Sequence, residues 1–152
     1  MIVSFEHVGS TSVPGLAAKP IIDIDVIYDK PENLPQIIKA LESVGYRHEG
    51  NKGIEGRESF KASEGSIKQH FYVCKVGTLG LKNHLTLRDH LRSNPQDRDE
   101  YEKLKIEIAH LYQTAPEEYM EAKTSFILKI LKKYSLTEDE LKQIEAVNVA
   151  KK

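Results

Sequence analysis

The stretch HVGSTSVPGLAAKPIIDIDV, residues 7–26, is the part of the chain that most clearly predicts the fold. It runs from a Gly/Ser-rich turn into an apolar segment that carries Asp23 and Asp25. Two aspartates at this spacing leave the same face of a strand, about 6.6 Å apart at a rise of ~3.3 Å per residue. A divalent cation between them would turn their repulsion into binding energy, and Mg²⁺ prefers oxygen ligands shared with substrate phosphates.

The aspartate pair has a second interpretation. Half-buried strands commonly carry polar residues on a solvated face, and on such a face Asp23 and Asp25 would have no further role. Aspartate is nevertheless depleted in strands, where Thr or Lys suits a wet face better. The Gly-Ser-Thr-Ser run directly upstream favours the functional interpretation.

Hydrophobic periodicity predicts strands in the first half of the chain and helices in the second. The expected strands are 2–8, 21–28, 46–49, 58–62 and 67–76, with one helix that begins at 31–35 and ends at Gly45. Helical spacing begins at Leu79, and further helices are expected after Asn94, Thr114 and Thr137. Each of the two threonines is followed three residues later by Glu, which is the capping-box pattern. Residues 149–152 are expected to form a frayed end. These patterns predict an α/β (α+β) fold in which helices follow a mixed sheet.

The same residues carry a family resemblance. The GSTS and DID motifs, with LRDHLRSNP at 87–95, YEKLK at 101–105 and KTSFI at 123–127, resemble the GrpB-like family. That family is itself similar to the nucleotidyltransferase superfamily of DNA polymerase β. The resemblance covers about residues 5–134. It implies a nucleotidyltransferase-like domain over residues 1–134, with 135–152 as a C-terminal helix and tail of the same domain.

The resemblance implies a phosphate site in the turn before the second strand. Gly9 would let a phosphate approach the backbone, while Ser10 and Ser12 would help to bind it. Asp23 and Asp25 would hold Mg²⁺ or Mn²⁺. Without the resemblance, an ordinary Gly/Ser turn would be the better interpretation. Lys19 has two open interpretations, a partner for a phosphate oxygen or a solvated loop lysine.

The resemblance to nucleotidyltransferases also implies a third carboxylate, which is harder to find. By position, the strand at 67–76 should carry it, but His70 stands there. Histidine can ligate a metal or act as a base, so we predict His70 as the substitute, although an isolated strand histidine is more often structural. Glu58 has two open interpretations, the acid that completes the site from a neighbouring strand or a surface glutamate.

Arg88 and Arg92 lie four residues apart on a predicted helix and therefore share a face. Together with Lys105 they offer three cations to a triphosphate or a nucleic-acid backbone. The alternative interpretation is an exposed charged helix.

Composition narrows the classes of function. A chain of 152 residues fits one domain, and its net charge of −1 gives no global case for nucleic-acid binding. The single cysteine, Cys74, excludes an intrachain disulfide and fits a cytoplasmic location. No apolar run approaches the ~18 residues of a membrane span. Relatives usually carry a helix before the first strand, so a chain that starts on the strand would leave apolar sheet uncovered and favour a homodimer.

Two hypotheses follow. The first is a Mg²⁺-dependent nucleotidyltransferase-like enzyme that binds a nucleoside triphosphate and transfers a nucleotidyl group to an unknown acceptor. The second is a catalytically degenerate module of the same fold that binds a nucleotide, a nucleic acid or a protein.

Overall fold

The computed structural model describes residues 2–16, 18–134 and 136–150. Its five strands are β1 (Ile2–Val8), β2 (Ile22–Tyr28), β3 (Arg47–Gly50), β4 (Arg57–Lys61) and β5 (Gln69–Lys75). Its helices are α1 (Leu34–Ser43), α2 (Leu79–Ser93), α3 (Pro95–Ile108), α4 (Leu111–Thr114), α5 (Pro116–Leu131) and α6 (Glu138–Ala150). Short 3₁₀ turns cover Ser10–Ser12 and Pro31–Asn33. The predicted order of strands before helices is confirmed.

The five strands form one mixed sheet in the order β1-β2-β5-β4-β3. Strands β2 and β5 are parallel, and the other neighbours are antiparallel. The register places Asp23 opposite His70 and Asp25 opposite Tyr72. The two central strands therefore bring the predicted acidic pair and the predicted histidine to the same part of the sheet.

Each face of the sheet is covered by a different set of helices. Val26, Tyr28, Phe71 and Val73 pack with Ile37 of α1 on one face. Ile27 and Cys74 pack with Leu81 of α2 on the other. Because side chains alternate along β2, Asp23 and Asp25 share the α2 face with Ile27. Asp25 is fully buried there, so the solvated-face interpretation is wrong for this residue.

The helical half has its own core. Leu91 of α2, Tyr101 of α3 and Ile130 of α5 pack together with Val13 and Leu16, which follow the Gly9 turn. Leu141 and Ile144 of α6 pack against Ile127 and Leu131 of α5. None of the described helices is long and apolar enough to cross a membrane.

Only one of the two predicted capping boxes forms. At the start of α6 the Glu140 amide donates to Thr137 Oγ1 at 3.1 Å, and Glu140 Oε1 accepts from the Thr137 amide at 3.0 Å. The Thr114 box is wrong, because Thr114 ends α4 and donates its hydroxyl to the His110 carbonyl.

The sequence predicted a frayed C-terminal end and a homodimer that covers the first strand, and these two expectations have different outcomes. The backbone of α6 continues to Ala150, so the predicted frayed end does not begin at Val149, and Lys151 and Lys152 lie outside the described residues. At the other end β1 is an edge strand, on which Ile2 and Phe5 are exposed. The homodimer stays a prediction.

Candidate functional site

A cavity of about 430 Å³ lies between the sheet and the helical half of the chain. Polar and charged residues from both halves line it, among them Ser10, Asp23, His70, His84, Arg88 and Lys105. Its volume falls within the range of small-molecule sites in proteins. The cavity is therefore the candidate functional site.

The turn at Gly9 forms one wall. Gly9 has φ 74° and ψ −176°, a conformation that is almost restricted to glycine. A Cβ at this position would collide with Asp23 Oδ2. The turn thus brings backbone close to the Asp23 carboxylate, an approach that only a residue without a side chain permits.

Ser12 and Arg92 hold this turn in place. Ser12 is buried and its hydroxyl donates to the Gly9 carbonyl at 2.5 Å. Arg92 Nε donates to the Ser12 carbonyl at 2.9 Å. Neither residue is part of the cavity lining, so the structure gives both a role in positioning the turn. Direct phosphate contacts of Ser12 and Arg92 stay predictions without structural support.

Each aspartate is paired with a histidine. Asp23 Oδ1 lies 2.8 Å from His70 Nδ1, and the Asp23 side chain is 29% exposed. Asp25 Oδ2 lies 2.7 Å from His84 Nδ1, and Asp25 is completely buried. The second carboxylate oxygen, Asp25 Oδ1, is buried without a hydrogen-bond partner. A buried carboxylate oxygen that lacks a partner is costly, and a bound cation would remove that cost.

Asp23, which lines the cavity, and the buried Asp25, which does not, are the candidate ligands of a divalent cation. Among the described residues, no group of three or more His, Cys, Asp or Glu side chains could hold a metal. The histidine pairs use Asp23 Oδ1 and Asp25 Oδ2, which leaves one oxygen of each carboxylate outside those pairs. This donor set fits Mg²⁺, which commonly takes one or two protein carboxylates and completes its shell with phosphate and water. It does not fit a cation that needs a cage of protein ligands.

Glu58 does not complete the site. It lies opposite Val73, on the α1 face of the sheet, and its carboxylate is 3.2 Å from His48 Nε2. The alternative that Glu58 supplies the third acid is therefore wrong. His70, in contrast, lies beside Asp23 within the cavity lining.

The cations of the cavity differ in how they are neutralised. Arg88 contacts Glu6 at 2.6 Å, Asp89 at 2.9 Å and the His7 carbonyl at 3.2 Å. Burial alone would lower the pKa of Arg88, but the hydrogen bonds to Asp89 and Glu6 outweigh burial and raise the pKa. The charge of Arg88 is thus already balanced by two carboxylates.

Lys105 of α3 reaches the turn from the helical side. Its Nζ donates to Ser10 Oγ at 2.6 Å. Burial lowers the pKa of Lys105, the nearby Lys19 adds to this effect, and Asp23 opposes it. A phosphate oxygen near Ser10 would therefore meet a partly desolvated ammonium group, which strengthens the attraction.

Several lining residues escaped sequence reasoning. His84 lies one helical turn before Arg88, so the four-residue spacing on α2 is a signal that could have revealed it. Tyr112 and Tyr119 also line the cavity, but they lie on two helices separated by Ala115, so no periodicity joins them. Lys19 Nζ lies 2.9 Å from the centre of the Tyr112 ring.

Comparison with known proteins agrees with the fold and the sequence motifs. The family model described as GrpB protein matches residues 1–133. The chain belongs to the GrpB family. The crystal structure of the conserved protein GrpB from Enterococcus faecalis is similar to this GrpB-family chain with a TM-score of 0.72 and 34% identity. That match covers 93% of this chain and 82% of the Enterococcus chain. The predicted family resemblance and fold are confirmed.

Curated relatives are also similar in sequence. A UPF0157 protein of Halalkalibacterium halodurans is 39% identical over 134 residues, which cover 87% of this chain and 67% of that protein. The UPF0157 protein YqkA of Bacillus subtilis is 32% identical over 83% of this chain. The GrpB-family chain spans 37% of the length of YqkA.

Proposed function

We propose that the GrpB-family chain binds the phosphate chain of a nucleoside triphosphate, together with Mg²⁺ or Mn²⁺, in the cavity between sheet and helices. The observation that supports this proposal is the convergence of Ser10, Lys105 and Asp23. The Lys105 ammonium contacts Ser10, whose turn closely approaches the Asp23 carboxylate. A hydroxyl group, an ammonium group and a carboxylate that can ligate a metal together suit a phosphate that is bound with its metal.

The residues have separate roles in the proposal. Asp23 and Asp25 would hold the cation, which when bound supplies charge neutralisation at the phosphates. Ser10 and Lys105 would hydrogen-bond phosphate oxygens, and the exposed Lys19 would add a charge at the cavity mouth. His70 would orient Asp23 or contribute a ligand.

We extend the proposal to nucleotidyl transfer. An acceptor hydroxyl oxygen would attack the α-phosphorus, the bond from that phosphorus to the bridging oxygen would break, pyrophosphate would leave with that oxygen, and the hydroxyl proton would pass to solvent. The protein would contribute positioning and electrostatic stabilisation of the phosphates. The acceptor is not identified by any residue of the cavity.

A second candidate function is a binding module without turnover. The observation in its favour is that Asp23 and Asp25 are both engaged with histidines and that Glu58 lies on the opposite face of the sheet. Such a module would bind nucleotide without releasing pyrophosphate.

Asp23→Asn tests the metal-dependent site. Asparagine keeps the volume of the side chain but removes the anionic charge, so we expect the effect of Mg²⁺ on nucleoside triphosphate affinity to disappear. Calorimetric titrations with Mg²⁺ and with chelator measure that effect. The matched control is Asp99→Asn, an exposed aspartate of α3 that pairs with Arg98 outside the cavity lining. Unchanged metal-dependent affinity in Asp23→Asn would falsify this site assignment.

Pyrophosphate release separates the enzyme from the binding module. Purified wild-type protein would be incubated with Mg²⁺, nucleoside triphosphates and a panel of hydroxyl-bearing acceptors. Transfer predicts pyrophosphate formation that Asp23→Asn abolishes and Asp99→Asn retains. Metal-dependent binding without pyrophosphate across the panel would favour the module.

A further inference from the structure

We propose that Tyr112 and Tyr119, which line the same cavity, form an aromatic subsite that takes the base ring of the nucleotide. This inference rests on the phosphate binding proposed above and adds a second point of recognition. The subsite is formed by Tyr112 of α4 and Tyr119 of α5, with Lys19 lying over both rings.

The two tyrosine rings form a corner. Their centroids are 5.3 Å apart and their planes meet at 73°, so the edge of one ring faces the other. Tyr112 is 49% exposed, whereas Tyr119 is buried. A planar ligand ring could therefore stack on the accessible Tyr112 ring, against which the buried Tyr119 ring packs.

Lys19 covers this corner in the structure. Its Nζ lies 2.9 Å from the centre of the Tyr112 ring and 5.2 Å from that of Tyr119. Lys19 itself is exposed and belongs to the loop between the Gly9 turn and β2. An exposed lysine can leave a ring at low cost, because cation–π contacts at exposed sites stabilise only weakly. The ring face is therefore available to a ligand that displaces the ammonium group.

The corner and the phosphate end belong to one cavity. Tyr112 and Tyr119 line it together with Ser10, Asp23 and Lys105. A ligand that contacts both sets of residues must carry anionic groups and a planar ring. Nucleotides have this arrangement.

The charges around the rings argue against a cationic ligand. Lys123 Nζ lies 5.4 Å from the Tyr119 ring, and Lys105 Nζ lies 5.3 Å from the ring of Tyr101, another lining residue. Lys19 and Lys123 thus flank the tyrosine corner, and Lys105 adds a third ammonium group near Tyr101. A quaternary ammonium ligand would be repelled by them, whereas a neutral base joined to phosphates is complementary to them.

The effect of Tyr112 variants on a nucleoside triphosphate, compared with their effect on inorganic tripolyphosphate, separates nucleoside contacts from phosphate contacts. Both ligands would be titrated calorimetrically into the full chain in the presence of Mg²⁺. We expect Tyr112→Leu to lower the affinity for the nucleoside triphosphate about tenfold, which is within the range that base–aromatic stacking supplies. The affinity for tripolyphosphate should stay unchanged. Tyr112→Phe should bind both ligands as the wild type does, because phenylalanine retains the ring.

Phe5→Leu is the matched control. Phe5 is an exposed aromatic residue of β1 that does not line the cavity, so its replacement should change neither affinity. Thermal melting of each variant checks that the fold is intact.

Tyrosine fluorescence gives an independent readout. The chain has seven tyrosines and no tryptophan, so a base that stacks on Tyr112 should quench emission in the wild type and quench it less in Tyr112→Leu. Unchanged nucleoside triphosphate affinity in Tyr112→Leu would overturn the subsite but leave the proposed function standing. An equal decrease in the affinity of Tyr112→Leu for both ligands would also overturn the subsite. If neither ligand binds the wild type, the proposed function itself fails.

Discussion

Gly9 sets the distance between the turn and the acidic strand. Its positive φ and extended ψ exclude most other residues, and the carboxylate of Asp23 occupies the space that a methyl group would need. Two independent constraints, backbone conformation and close approach, therefore require glycine here. The same approach places backbone beside a proposed cation ligand, which makes Gly9 a sensitive probe of the site.

Gly9→Ala is expected to destabilise the fold and to disturb the site. The backbone conformation alone costs about 1 to 3 kcal/mol for a residue with a side chain, and the collision with Asp23 adds to this cost. Urea denaturation measures the loss of stability, and calorimetry measures the loss of Mg²⁺-dependent nucleotide binding. Gly53→Ala is the control, because Gly53 also has a positive φ but has open space where a Cβ would stand. Equal losses of stability in both variants would show that the approach to Asp23 does not matter.

His70→Ala is expected to weaken Mg²⁺-dependent nucleotide binding with little change in melting temperature. The His70 side chain is 54% exposed and lies at the cavity, so its removal opens little core. The control is His48→Ala, because His48 forms another histidine–carboxylate pair on the opposite face of the sheet. Melts with and without Mg²⁺ and nucleotide distinguish the roles, since a purely structural His70 predicts the same destabilisation in both conditions.

At the scale of elements, α6 depends on its first turn. The reciprocal Thr137 and Glu140 hydrogen bonds satisfy two amides at the helix start, and Leu141 of the next turn enters the core. We expect Thr137→Ala to lower the free energy of unfolding by about 1 kcal/mol, the usual contribution of an N-cap. Thr114→Ala should change stability far less, because the Thr114 hydroxyl bonds a carbonyl within its own turn. Urea denaturation of both variants measures the difference.

At the scale of the whole molecule, the Asp97 carboxylate of α3 joins three segments. It lies 2.6 Å from His90 of α2 and 3.2 Å from Lys133, which follows α5. The hydrogen bond from His90, with a smaller effect of Lys133, holds the pKa of Asp97 below its usual value. A carboxyl whose pKa is lower in the folded state stabilises the fold above its unfolded pKa, and this stabilisation is lost as the pH falls through the folded pKa.

Acid titration of stability therefore tests the Asp97 contacts. Below about pH 4, the range in which carboxyl groups take up protons, the urea midpoint of the wild type should fall. Asp97→Asn should have a lower urea midpoint at neutral pH, and its midpoint should fall less on acidification. Some acid sensitivity should remain, because the pKa values of Glu49 and Glu140 are also lowered. In Asp99→Asn the urea midpoint should depend on pH as it does in the wild type. If the midpoint of Asp97→Asn fell with pH in parallel with the wild type, the stabilising role of the Asp97 contacts would be contradicted.

The order of elements and the placement of the acidic pair could be predicted from local sequence patterns. Alternation along 22–28 places Asp23 and Asp25 on one face, and the Thr137 box is complete within four residues. Such features depend only on near neighbours, so their periodicity is visible in the chain. The GSTS and DID motifs likewise predicted the GrpB family, which the comparisons confirm.

Tertiary structure alone decided how these residues are used. Asp25 is buried because α2 covers its face of the sheet and brings His84 to it across 59 positions of sequence. Lys105 reaches Ser10 across 95 positions, while Glu58, for which the sequence left a role at the site open, faces the opposite layer. The Tyr112 and Tyr119 corner likewise arises where two helices meet. Burial and long-range pairing depend on how helices pack over the sheet, and no local period encodes that packing.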